Sequence, residues 1–190
     1  VATVPEPIKD LSQTDYDRYR HQLEQATNEK IASKIASWPE DLELELQQIT
    51  ANKPPKAQIM AIERWVRDLS YYDDNNQEVS SLKQGKSLEE VIYIMEQRIE
   101  ELRVSRPELA EQLKGKRFAG VCADFAQLTA TALRAVGFAS GLLKGFGGDS
   151  KSIKVKNAHV TTFVYWPNNN GDNRIISLDG TPDGLVGLSM

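Results

Sequence analysis

The run GVCADFAQLTATALRAVG, residues 120–137, constrains the fold of this chain more than any other stretch. Val121, Phe125, Leu128, Ala132 and Val136 recur three and four residues apart, the spacing of one buried helix face. Asp124, Gln127, Thr131 and Arg134 recur in the same way on a second, polar face, and alanines fill much of the remainder. Small residues let neighbouring backbone come close, so the pattern predicts a central helix rather than a surface one. Gly137 stands where a left-handed residue ends a helix. The only cysteine, Cys122, falls in the first turn. There, unpaired backbone N–H groups and the positive end of the helix dipole favour thiolate. A lone cysteine at a helix start is, taken by itself, better explained as a small buried apolar residue. Its partners downstream decide between the two.

At 190 residues the chain is long enough for one well-buried domain with helical additions. Its 40% hydrophobic and 26% charged residues are those of an ordinary globular protein. A net charge of −4 without a block of Lys and Arg argues against nucleic acid as a partner. No run approaches the roughly eighteen apolar residues that span a bilayer, so no membrane contact by this segment itself is expected. The opening VATVPEP, without methionine, leads us to expect an excised or processed segment. One cysteine excludes an intramolecular disulfide. One cysteine and two distant histidines, His21 and His159, give no metal-ligand spacing, and GFGGDS lacks the lysine and hydroxyl of a phosphate loop. No metal or cofactor is expected.

In chain order, residues 1–9 read as an extended lead-in and 10–37 as a polar helix, with His21 a solvated residue on it. Trp38-Pro39 breaks that helix, because the residue before proline is pushed out of the α region. Helices follow over 40–51 and 56–69, then a short strand at Tyr71 and Tyr72 and a loop through Gly85. Ser87 with Glu90 forms a capping-box pattern opening a helix through Arg103, and Pro107 starts a shorter helix reaching Lys114. Beyond the cysteine helix the period changes. Strands are expected at 139–146, at 153–156, at 158–166 with clear alternation, and at 174–179 beyond the turn PNNNGDN. Helices followed by sequential strands indicate an α+β fold, with the cysteine helix packed on one face of an antiparallel sheet. We divide the chain into an N-terminal helical extension, 1–37, and a core, 38–190.

In an antiparallel pair, the start of one strand lies beside the end of its neighbour. His159 near the start of one strand and Asp179 at the end of the next are therefore candidates to meet, and Cys122 joins them if its helix begins over that edge. Nucleophile, base and orienter are the parts of covalent thiol catalysis. At these residues the chain resembles the transglutaminase-like core of bacterial thiol enzymes of the papain-type superfamily. Gly120, Cys122, Asp124, Phe125, Ala126, Leu128, Leu133, Arg134, Ala135 and Gly137 follow the family's cysteine block. His159 matches its histidine, and Asp179, Thr181 and Pro182 match its Asp-x-Thr-Pro. The resemblance extends upstream to Trp38. Members often read His-Ala-Trp with a glutamate shortly after, where this chain has His159-Val160-Thr161-Thr162. A family tryptophan ahead of the aspartate is replaced by Ile175 or Ile176, and its Gly-Ile-Pro by Gly137-Phe138-Ala139. These departures bear on substrate preference more than on the triad.

The resemblance implies an enzyme that forms a thioester with an amide carbonyl of a protein or peptide. Hydrolysis, as in a peptidase or amidase, is favoured over transfer to an amine, as in a transglutaminase that cross-links glutamine. The alternative from another class is a noncatalytic peptide-binding or scaffolding module that keeps the fold. The resemblance also implies an extracytoplasmic domain of a larger bacterial protein. It makes the backbone N–H of Cys122 an oxyanion donor, with Tyr71, Tyr72 and Gln77 upstream where a second donor could arise.

Overall fold

Prolines set where the first two described helices begin. In the computed structural model, which describes residues 39–73, 83, 85–146, 158–166 and 174–182, α1 (Glu40–Thr50) starts directly after Pro39. For residues 144–146, 158, 159, 165, 166 and 174 the description is of the backbone. The helix expected at 10–37 with His21, the strand at 153–156 and the turn PNNNGDN lie outside the described residues. Glu40, Asp41 and Glu43 occupy the positive end of α1. Asn52, at φ 57°, turns the chain out of the helix. α2 (Pro55–Leu69) has proline in its first turn, where the missing N–H leaves nothing unpaired. Leu42 and Leu46 of α1 share one core with Ile59, Ile62 and Val66 of α2.

α2 runs directly into β1 (Ser70–Tyr72). α3 (Leu88–Ser105) opens on the expected capping box. The Glu90 N–H donates to Ser87 Oγ at 3.2 Å, and the Ser87 N–H donates to the Glu90 carboxylate at 2.8 Å. Its apolar stripe of Val91, Ile92, Met95, Ile99 and Leu102 is buried. The helix expected from Pro107 to Lys114 is instead a single 3-10 turn, Pro107–Leu109, followed by turns. Only Leu113 of this stretch is buried, with Leu109 partly so. So short a segment with so little apolar surface to bury does not sustain a helix.

β2 (Phe118–Gly120) pairs with β1 in parallel, Tyr72 opposite Gly120, and feeds directly into α4 (Cys122–Val136). Gly137 ends α4 at φ 125°. Its N–H and that of Phe138 return to the carbonyls of Leu133 and Arg134. Phe125, Leu128, Ala132 and Leu133 are fully buried, whereas Val121 and Val136, at the two ends of the apolar face, are only partly covered.

β3 (Ser140–Phe146), β4 (Ala158–Trp166) and β5 (Arg174–Leu178) form an antiparallel sheet in that order. Val164, Ile176 and Leu178 join the core built around Phe125, Leu128 and Leu133. The Thr162 hydroxyl donates to the Ala126 carbonyl at 2.8 Å, so the sheet is covered on this face by α4. The architecture is the α+β arrangement expected, with a second, parallel two-stranded sheet that periodicity did not foretell.

Candidate active site

Cys122 is the first residue of α4 and is half-buried. The strand before it is fixed on both sides: Gly120 pairs with Tyr72, and its carbonyl accepts the Asp73 N–H at 3.0 Å. The Tyr72 ring lies tilted against Phe125, with centroids 6.4 Å apart. Asp124, in the first turn, reaches back so that its Oδ2 accepts the Val121 N–H at 2.9 Å. The Lys83 ammonium donates to the same oxygen at 2.6 Å. Both side chains are nearly buried, 8% exposed for Lys83 and 11% for Asp124. A Cβ on Gly120 would lie 2.7 Å from that oxygen, which is a physical reason for glycine two residues before the thiol. The polar face expected for α4 is corrected here. Gln127 is exposed, but Asp124 is an internal cap. Lys83 fell in a stretch read as loop; the acidic residue at the third position of the helix was the available signal for its carboxylate partner.

Asp179 follows the last residue of β5 and is half-buried. The strand expected to include it ends at Leu178, because the Asp179 Oδ1 accepts the Thr181 N–H at 3.0 Å and turns the chain. Its carbonyl accepts from the Arg67 guanidinium at 2.9 Å. Arg67 is also ion-paired with Glu63, a buried residue one turn earlier on α2. A Cβ on Gly180 would lie 2.5 Å from Thr129 Oγ1 and 3.6 Å from the Phe125 carbonyl. The segment after β5 therefore rests against α4 within two turns of Cys122.

His159 is the second residue of β4, its backbone opposite Gly145 of β3. Two contacts set the level of α4 along the sheet. Ser140 Oγ donates to the Ala130 carbonyl at 2.7 Å, and Thr162 Oγ1 donates to the Ala126 carbonyl at 2.8 Å. Ser140 is opposite Val164, so two residues along β4 match four along α4. Both steps are about 6–7 Å. Those two bonds step together toward the start of α4 and the start of β4. Across β4 and β5, Thr161 Oγ1 and Ser177 Oγ are 3.0 Å apart as diagonal neighbours. The pairing of β4 and β5 ends with Thr162 opposite Leu178, so Asp179 leaves the sheet on the side toward the start of β4.

Of the upstream donors considered, Tyr71 packs against the small core of Ile99, Leu102, Leu113 and Ala119, and Tyr72 against the main core. Gln77 lies outside the described residues. Among the described residues no group of three or more His, Cys, Asp or Glu side chains is placed to hold a metal ion. Nor, among them, is any helix long and apolar enough to cross a membrane.

A family model described as the transglutaminase-like superfamily matches residues 43–171, a span that includes Cys122 and His159 and stops short of Asp179. None of the curated proteins matches the chain in sequence. Among solved structures, the periplasmic domain of TgpA from Pseudomonas aeruginosa is similar at 18% identity with a TM-score of 0.48, covering 83% of this chain and 47% of that one. A candidate cysteine protease from Cytophaga hutchinsonii is similar at 17% identity and a TM-score of 0.42, covering 74% of this chain and 37% of its own. The chain thus spans less than half the length of either.

Proposed function

The chain belongs to the transglutaminase-like superfamily, and on that premise we propose that it is a thiol enzyme acting on amide bonds of a protein or peptide through Cys122, His159 and Asp179. The observation that carries this reading is the level of α4 on the sheet. Its two hydrogen bonds to β3 and β4 run toward Cys122 at the end where β4 begins and β5 ends. On this reading the three residues meet at that end of the sheet.

The chemistry then runs in two halves. His159 takes the proton of Cys122, and the sulfur attacks the carbonyl carbon of the substrate amide. The oxyanion that forms is met by the backbone N–H of Cys122, at the positive end of the α4 dipole. His159 returns its proton to the leaving amine, and a thioester remains on Cys122. Water, activated by the same imidazole, then releases the acid; an amine in its place would give transfer. Asp179 holds the imidazole in the productive tautomer and stabilises its protonated form. Hydrolysis is the favoured outcome.

The test uses p-nitrophenyl acetate, an activated acyl donor that demands little of substrate recognition. We expect a burst of nitrophenol, an acetyl adduct on Cys122 by peptide mass spectrometry, and neither in Cys122→Ser. Turnover unchanged by added primary amine supports hydrolysis, whereas formation of the acetamide supports transfer. Failure of Cys122 to acylate faster than a free thiol would leave the noncatalytic module as the better account.

A further inference from the structure

The chemistry above makes no use of Lys83 or Asp124, yet the two form a nearly buried ion pair within two residues of the thiol. A carboxylate at the third position of a helix is favourable for the helix, because it satisfies a free N–H at the positive end of the dipole. It is unfavourable for a neighbouring thiol that must ionise, because a like charge opposes thiolate. The structure contains both demands at one place: Asp124 Oδ2 accepts the Val121 N–H at 2.9 Å, beside Cys122. Lys83 comes from 41 residues earlier to donate to that same oxygen at 2.6 Å. A lysine so deeply covered needs a specific counter-charge.

We propose that Lys83 is a positioning residue for the Cys122 thiol. Its ammonium cancels the charge of the Asp124 carboxylate, so that Asp124 caps α4 without opposing ionisation two residues away. The inference rests on the proposed role of Cys122 as nucleophile. Several other charges on elements packed around α4 have partners of their own. Glu63 is paired with Arg67 on α2, Asp73 with Arg98, and Asp41 and Glu45 of α1 with Arg117. Arg134 lies at the far end of α4, on the Ser140 carbonyl. Asp179 and His159 are the remaining groups at the proposed site.

The experiment is the pH profile of Cys122 alkylation by iodoacetamide in the intact chain, for wild type, Lys83→Met, Asp124→Asn and the double variant, each checked for folding by circular dichroism. Lys83→Met should move the midpoint upward by about one pH unit, within the range by which a neighbouring charge shifts an ionisable group. The double variant, with both charges gone, should return close to the wild-type midpoint, which a purely structural role for Lys83 would not produce. Asp124→Asn, which leaves the ammonium alone, should move it downward. A Lys83→Met profile that overlays wild type overturns the proposal, as does a double variant shifted as far as Lys83→Met. If Lys83→Met does not fold, an unshifted midpoint in Asp124→Asn overturns it instead. A wild-type midpoint near that of a free thiol is a separate outcome: it contradicts the nucleophile role itself.

Discussion

Asp179 carries the sharpest prediction for a single residue. If it orients His159, Asp179→Asn offers an N–H to the imidazole and removes its counter-charge, so alkylation of Cys122 near neutral pH should slow by about tenfold or more. Identical pH profiles for the two folded proteins would remove Asp179 from the proposed triad. Motif resemblance and strand order point to Cys122, His159 and Asp179, because each sits in a block with its own local pattern. They give no sign of the Lys83–Asp124 pair, because an ion pair across 41 residues leaves no local period. Gly180 supplies a stability test of the Asp179 segment. Its added Cβ would lie 2.5 Å from Thr129 Oγ1, so Gly180→Ala should cost about 1–3 kcal/mol in urea unfolding. No loss would mean that the turn after β5 does not bear on α4.

Among the elements, α4 was legible from end to end because periodicity, a glycine stop and a small-residue composition agreed. α3 was legible from its capping box, and the alternation of β4 from its aromatic and β-branched residues. β2 was missed because a three-residue strand, Phe118–Gly120, is too short to show a period. Its pairing is set by β1 rather than by its own sequence. The segment after Pro107 failed in the opposite sense: it has helix-forming residues but almost no apolar face for the core to hold. Leu128 is the position where α4 can be tested as the centre of the fold. It is 1% exposed within the main core, so Leu128→Ala should cost about 2–5 kcal/mol of stability. A loss below about half a kcal/mol in denaturant unfolding would show that the helix is peripheral.

Across the whole molecule, Arg117 ties the helical layer to the strand that feeds α4. Its guanidinium pairs with Asp41 and Glu45 of α1 and Glu96 of α3, and lies 5.4 Å over the Phe118 ring. The hydrogen bond from Arg117 holds the Asp41 carboxyl below its ordinary value of 3.8. A depressed carboxyl stabilises the fold above its unfolded pKa, and that stabilisation is lost as pH falls through the folded value. The melting-temperature gap between wild type and Arg117→Gln should therefore be largest above about pH 5 and narrow below about pH 4. The pairs are partly solvent-screened, so the gap should be a few degrees and should shrink in high salt. A gap independent of pH between 3 and 6 would show that Arg117 acts through packing on Phe118 alone.

The claim on which the rest depends is that His159 serves Cys122 as its base. The most direct measurement is the rate of Cys122 alkylation by iodoacetamide against pH, in wild type and in His159→Ala. We predict that wild type reaches its plateau well below the midpoint of about 8.5 expected for a free thiol, and that His159→Ala moves the midpoint to that value or above. Superimposable profiles from two folded proteins would contradict the account.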